Sequence, residues 1–343
     1  MQNEPSENSH SFPLTPVIPD IKDWPIYKLT DDKVNFLAEV KRVTKASILS
    51  SANNKEELNK LIEKVLYQEK IRLTQNPWKA DKPNERYFWS QLKNDLIFAM
   101  SDDGTYEDSL KLLDKVLNQY TSEIFGNFKI SAYRIAKAIV PFFLKRIFNA
   151  SQLYGNKRRN LSSKIRITGE IDLVRSLAKK GTLIFVPTHF SNIDSPVIGF
   201  TIDALGLPAS LYGAGLNLFT IKILNWFMSN LGAYKVDRRK KNFFYLETLK
   251  NYSCIAIQRG ANSLFFPRGT RSRSGALEKS LKLGLLGTAV EAQRIILQNY
   301  TGKDARKIFI VPVVFNYHFV LEAPAYNQAP ASPPVQLPQL LLA

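Results

Sequence analysis

The amino-acid sequence predicts an α/β protein: a helical N-terminal domain followed by a mixed, mainly parallel sheet flanked by helices. Two observations predict it. From about Asp31 to Asn149 apolar residues recur at i, i+3, i+4 and i+7, the spacing of one helix face. From Ser163 onward the period changes, and short β-like runs alternate with stretches long enough for helices. Composition agrees: 343 residues, 45% apolar and 22% charged, suffice for one large domain with a helical appendage and are too balanced for disorder.

In chain order, residues 1–25 hold several prolines among scattered polar residues and read as an irregular arm. Residues 26–162 make up the expected helical domain, where VNFLAEVKRV, ELNKLIEKVLYQEKIRL and DSLKLLDKVLNQY carry the helical period. KISAYRIAKAIVPFFLKRIF, from Lys129 to Phe148, is more apolar and ends in a Phe-Phe-Leu cluster beside Lys145 and Arg146. Its apolar face packs against the second domain or lies in a membrane interface with its cations at the headgroups, packing being the plainer expectation. Residues 163–322 form the expected α/β domain, with strands at TLIFVPT, ASLYGAG, NSLFFP and KIFIVPVVF. IKILNWFM, residues 221–228, is either a buried helix or a segment that dips into a membrane interface. The last 21 residues, 323–343, contain five prolines and no charge, and read as an unstructured tail or an altered end.

Other features narrow the function. A single cysteine, Cys254, rules out an intramolecular disulfide, so a reducing compartment is expected. The N-terminus lacks the layout of a signal peptide and no run of about 18 apolar residues occurs, so a cytoplasmic protein without a classical span is expected. There is no nucleophile elbow, Walker loop, Rossmann glycine pattern or zinc-spaced Cys/His set, so neither metal nor cofactor is expected. The net charge of +17 suits nucleic acid, an anionic membrane surface, or an acidic or phosphorylated partner. Between Gly181 and Lys282 lie 13 Lys/Arg against 5 Asp/Glu, largely in turn-like stretches such as VDRRKKN and PRGTRSRSG. A solvated basic face is the plain reading of Lys240 and Lys241 taken alone. The arginines lie beside Gly and Ser, without interleaved aromatics or a known module, so no nucleic-acid partner is expected.

Chemistry concentrates at FVPTHFSNIDSP, residues 185–196, where His189 and Asp194 form an HxxxxD pattern after an apolar run. Ligands bind such sheets at the carboxyl ends of strands. An imidazole removes protons near neutral pH, and a carboxylate on its other nitrogen fixes the tautomer. At a strand-to-helix turn Asp194 can fold back beneath the ring, with Ser191 or Asn192 capping the helix that follows. Alone, the pattern reads as an N-capping aspartate beside an ordinary histidine.

Three further stretches converge with it: GAYKVDR (232–238), FFPRGTRSRSG (265–275) and IVPVVF (310–315). In order and content the four blocks, over about residues 165–320, resemble the glycerolipid acyltransferase family of glycerol-3-phosphate and 1-acylglycerol-3-phosphate acyltransferases. The resemblance implies that His189, oriented by Asp194, deprotonates a glycerol hydroxyl that attacks an acyl thioester. It implies phosphate contacts from Arg238 and from Gly269, Thr270, Arg271 and Arg273, and an acyl-donor pocket shaped by Pro312. A guanidinium suits bidentate phosphate binding, and small residues let backbone amides approach it. Acyl-CoA or an acyl carrier protein thioester is the implied donor. SRSG and the helical domain are more similar to the branch that acylates the sn-1 hydroxyl of glycerol 3-phosphate than to the branch that uses its 1-acyl derivative. Peripheral attachment to the inner face of the cell membrane follows from a lipid product. One residue departs from the pattern: Arg268 stands where the family usually has an acidic residue before the glycine, and it cannot accept hydrogen bonds. That departure supports a rival reading, a non-catalytic membrane adaptor that binds lipid or phosphate.

Overall fold

The computed structural model describes residues 11–78, 81, 83–148, 165–267, 283–300, 302 and 305–317. Six helices come first: α1 (Pro25–Asp31), α2 (Lys33–Leu49), α3 (Lys55–Gln75), α4 (Glu85–Met100), α5 (Tyr106–Ile124) and α6 (Ile130–Phe148). Their ends follow local chemistry. Pro25 opens α1, where its missing N–H is no loss, and the Asn54 side chain accepts the Glu57 amide at the start of α3. Thr105 and Asp108 form a reciprocal capping box on α5.

The chain then alternates: α7 (Ile171–Ala178), β1 (Gly181–Pro187), α8 (Asp194–Ala204), β2 (Leu211–Gly215), α9 (Lys222–Asn230), β3 (Ala233–Val236), α10 (Phe243–Gln258), β4 (Ser263–Leu264), α11 (Gly287–Asn299) and β5 (Lys307–Val313). The strands form one sheet in the order β3-β2-β4-β1-β5, and every pairing is parallel. Each expected strand run contains a strand; β3 was not among those expectations, because AYKV is too short to show a period. β1 lies between β4 and β5, so Leu183, Ile184 and Phe185 are all buried, a continuous apolar run in place of alternation. Gly206 and Gly260, with φ of 64° and 91°, end α8 and α10. At each, the glycine N–H and the next N–H turn back to helix carbonyls in the Schellman pattern that needs a left-handed residue.

One apolar cluster runs from Trp24, Phe36, Leu113 and Tyr120 to Tyr234, Phe244 and Tyr252, joining α1–α5 to β3 and α10. Each such side chain contributes about 1.5–3 kcal/mol on burial, so this cluster fastens the helices to the β3 side of the sheet, while Leu183, Ile184 and Phe185 of β1 pack in separate clusters. The described part of the N-terminal arm, residues 11–24, contains one short 3-10 turn (Ile21–Asp23) and is fastened: Leu14 N–H donates to the Ala204 carbonyl and Val17 N–H to that of Gly206. α6 buries Ala132, Ala136 and Leu144 and touches α8 and α9. Tyr133 Oη and Lys137 Nζ both donate to Asp203 Oδ1, at 2.5 and 2.9 Å. Its opposite face leaves Ile135, Ile139, Phe142 and Phe143 exposed, so packing accounts for only one side of this helix. The expected domain boundary near residue 163 and the tail at 323–343 lie outside the described residues. Among the described residues no helix is long and apolar enough to cross a membrane.

Candidate active site

β1 delivers His189 to the carboxyl edge of the sheet, two residues past Pro187. Pairing with the neighbouring chain continues beyond the strand end. Thr188 N–H donates to the Val313 carbonyl, and Phe315 N–H donates to Thr188 Oγ1, both at 3.0 Å. This fastens the start of the His189 loop to the segment after β5.

Asp194 is fully buried and accepts from four directions. His189 Nδ1 lies 2.8 Å from Asp194 Oδ2, which also accepts the amides of Phe190 at 2.6 Å and Ser191 at 2.8 Å. Tyr317 Oη donates to Oδ1 at 2.5 Å. With a carboxylate as acceptor, Nδ1 carries the proton and the neutral ring presents a lone pair on Nε2. The His189 side chain is 19% exposed and lies against Phe266, ring centroids 4.3 Å apart at 31°. The imidazole is therefore held on one nitrogen, covered by Phe266 on one face and partly exposed.

Helix capping differs from the expectation. α8 starts at Asp194 itself, and neither Ser191 nor Asn192 is its N-cap residue. Ser191 Oγ accepts from Ile193 N–H at 3.3 Å, while the Asp194 carboxylate reaches back to two preceding amides, as the acid of a capping box does. The same carboxylate thus closes the turn and holds the histidine.

Of the other expected residues, Pro312 and Arg238 are described, and both lie toward the carboxyl edge of the sheet. Pro312 sits in β5 paired with Val186 of β1, exposed on the edge strand, where a missing N–H costs no ladder bond. Arg238 follows β3, which is separated from β1 by β2 and β4. At about 4.8 Å per strand, Arg238 starts about 14 Å along the sheet from the His189 strand. Between them the chain leaving β4 passes Phe266, the residue against the imidazole, just before Arg268. Arg268, Gly269, Thr270, Arg271 and Arg273 lie outside the described residues. Lys241 is exposed as expected, but Lys240 is not a surface cation: it is buried, with Nζ 2.6 Å from Glu123 Oε2 and 3.4 Å from Glu85 Oε1. Phe266 and Tyr317 were not anticipated; both lie within or just past motif blocks, and aromatic character alone gave no sign of contact with the pair.

Residues 164–316 match the family model described as Acyltransferase. Glycerol-3-phosphate acyltransferases match a longer stretch. The Actinobacillus succinogenes protein is 28% identical over 253 residues, covering 71% of this chain and 28% of that protein. The Pseudomonas aeruginosa protein is 24% identical over 209 residues, covering 61% of this chain and 22% of that protein.

Over residues 164–316 the chain is similar to the acyltransferases.

Its similarity is to the glycerol-3-phosphate branch, and it spans about a quarter of the length of these curated relatives. The 1-acyl-sn-glycerophosphate acyltransferase structure from Thermotoga maritima aligns with a TM-score of 0.31 at 15% identity, over 80% of this chain and 92% of that one.

Proposed function

We propose that the chain is an O-acyltransferase that moves a fatty acyl group from an acyl-CoA or acyl carrier protein thioester to the sn-1 hydroxyl of glycerol 3-phosphate. The observation that carries this is the His189–Asp194 pair, 2.8 Å apart at the carboxyl end of β1, with Nε2 left to meet a hydroxyl. His189 Nε2 takes the hydroxyl proton as the oxygen attacks the thioester carbonyl carbon. The tetrahedral intermediate expels the thiolate, which receives that proton from the imidazolium. Asp194 stays ionised and stabilises the transient cation. A thioester is already activated, so no acyl-enzyme is required.

Arg238, with Gly269, Thr270, Arg271 and Arg273, would hold the phosphate, and Pro312 would border the acyl chain. Glycerol 3-phosphate places its phosphate and its reacting hydroxyl at opposite ends, which suits Arg238 set along the sheet edge from the base. A partner membrane fits the outer face of the molecule. Ile135, Ile139, Phe142 and Phe143 line one face of α6, and Ile223, Leu224 and Trp226 are exposed on the touching helix α9. Lys145 and Arg146 in the last turn of α6 and Lys222 at the start of α9 are cations suited to the headgroups of an anionic bilayer. The lipid product would leave at that surface.

The test is acyl transfer from both donors to glycerol 3-phosphate and to its 1-acyl derivative, with the product position assigned. Acylation of glycerol 3-phosphate at sn-1 supports the proposal. Transfer only to the 1-acyl acceptor replaces it with the second branch of the family. Phosphate binding without transfer to either acceptor replaces it with the adaptor reading that Arg268 motivates.

A further inference from the structure

The turn that carries Arg238 is built into a buried charge cluster. Lys240 N–H donates to the Asp237 carbonyl at 3.0 Å, closing a four-residue turn with Arg238 exposed at its second position. The other three side chains point into the molecule. Asp237 Oδ1 accepts from Arg239 N–H at 3.0 Å and Arg239 Nε at 2.9 Å, and Asp237 N–H donates to Tyr245 Oη at 2.8 Å. The Arg239 guanidinium forks onto both oxygens of Asp81, donates to the Asn76 carbonyl at 2.6 Å and stacks 4.4 Å from the Trp78 ring. Arg72 of α3 reaches Asp81 at 3.3 Å and Asp237 at 3.7 Å, and pairs with Glu69 and Glu85. Lys240 binds Glu123 of α5 and Glu85 of α4.

Every partner outside the turn and α10 comes from α3, α5 or the α3–α4 connection and start of α4, more than 100 residues earlier in the chain. Five carboxylates face three cations here, an arrangement that burial makes costly unless geometry is kept. Burial raises the Glu123 carboxyl above its ordinary range even against the pull of Lys240. A cluster this expensive, wrapped round a turn whose one outward residue is Arg238, fixes the direction of that residue.

We infer that Asp81 and Arg239 are positioning residues: through them the N-terminal helices hold Arg238 where it meets the acceptor's phosphate. The inference rests on the proposed acyl transfer to a phosphorylated acceptor, and it deepens that reading by giving the helices a part in acceptor affinity.

The experiment measures glycerol 3-phosphate binding by calorimetry and acyl-transfer kinetics in parallel, for Arg238→Ala, Asp81→Asn and the double variant. Arg238→Ala should weaken glycerol 3-phosphate on the order of 10- to 100-fold, the loss of a charge-assisted contact. Asp81→Asn should weaken it about 3- to 10-fold, raising KM for the acceptor while kcat and the KM for the thioester stay near wild type. In the double variant Asp81→Asn should add nothing, because the residue it positions is gone. Should Asp81→Asn fail to fold, Arg239→Lys, which keeps the charge and loses the fork, carries the same readout. Effects that multiply in the double variant, or that fall equally on the thioester, overturn the positioning role. Binding that responds as expected in a protein without turnover upholds this inference and sinks the catalytic reading. No glycerol 3-phosphate binding by the wild type overturns both.

Discussion

Replacing Asp194 by Asn tests the pair at the hinge between fold and chemistry. The carboxylate is fully buried and accepts four hydrogen bonds: His189 Nδ1, two backbone amides and the Tyr317 hydroxyl. An asparagine carbonyl can replace Oδ2 for the first three, while its NH2 faces a tyrosine oxygen that can turn to accept. The contacts survive and the charge does not. Hydrogen bonds to a charged acceptor are worth about 1.5–3 kcal/mol and neutral ones about 0.5–1.5, so three weakened bonds sharing one atom should cost about 1–3 kcal/mol of stability. The kinetic cost is larger, because a neutral amide does not stabilise the imidazolium that forms in the transition state. The same exchange in a Ser-His-Asp triad lowers kcat about 10⁴-fold, so a fall of about 10²–10⁴ is expected here, with KM for glycerol 3-phosphate within about 3-fold. Steady-state acyl transfer, beside a circular-dichroism melt to show a folded variant, gives the answer. A folded Asp194→Asn protein with kcat within about 3-fold of wild type would refute the claim that the carboxylate serves the histidine.

Three further outcomes follow from the same geometry. Tyr317→Phe removes one of the four bonds to Asp194 and leaves the His189 contact, so kcat should fall only about 3- to 10-fold, the worth of about 1 kcal/mol; a loss as deep as that of Asp194→Asn would mean that Tyr317 meets the substrate itself. Phe142→Glu, at a side chain 69% exposed on α6, should abolish sedimentation with anionic vesicles and spare transfer to glycerol 3-phosphate from a soluble donor, whereas unchanged sedimentation would remove α6 from the membrane surface. Burial raises the Asp81 carboxyl, but Arg239, the Trp78 amide and Arg72 outweigh it and hold it below its ordinary value of 3.8. Its folded value is the lower one, so its contribution is complete above the ordinary value and is lost as pH falls through the folded one; wild type should lose more melting temperature between pH 7 and pH 3 than Asp81→Asn does, and equal losses would contradict the assignment.

What the sequence made legible is what is local. Strand β1, the turn after it and the His189–Asp194 contact fall within fourteen consecutive residues, so period and motif together locate them. The amphipathic helices α2, α3 and α5 were legible for the same reason. Lys240 was read as a surface cation because its sequence neighbours are also basic, and a charge run says nothing about distant counter-charges. Its partners Glu85 and Glu123 lie 155 and 117 residues away, brought in by α5, which packs on β3 and α10, and by α4, which packs on α5. Asp81, Asp237 and Arg239 escaped notice likewise: each is an ordinary surface-type residue until the fold closes round it. The exposed faces of α6 and α9 were visible as apolar runs, but only packing could decide which residues of each run stay outside.

The role of His189 is tested most directly by turnover of His189→Ala with glycerol 3-phosphate and an acyl thioester, measured beside glycerol 3-phosphate binding. A general base at His189 predicts a loss of about 10²–10⁴-fold in kcat, with acceptor affinity retained, because the alanine removes the proton acceptor and touches no phosphate contact. Turnover at the wild-type level in a folded His189→Ala protein would contradict it and move the chemistry to another residue.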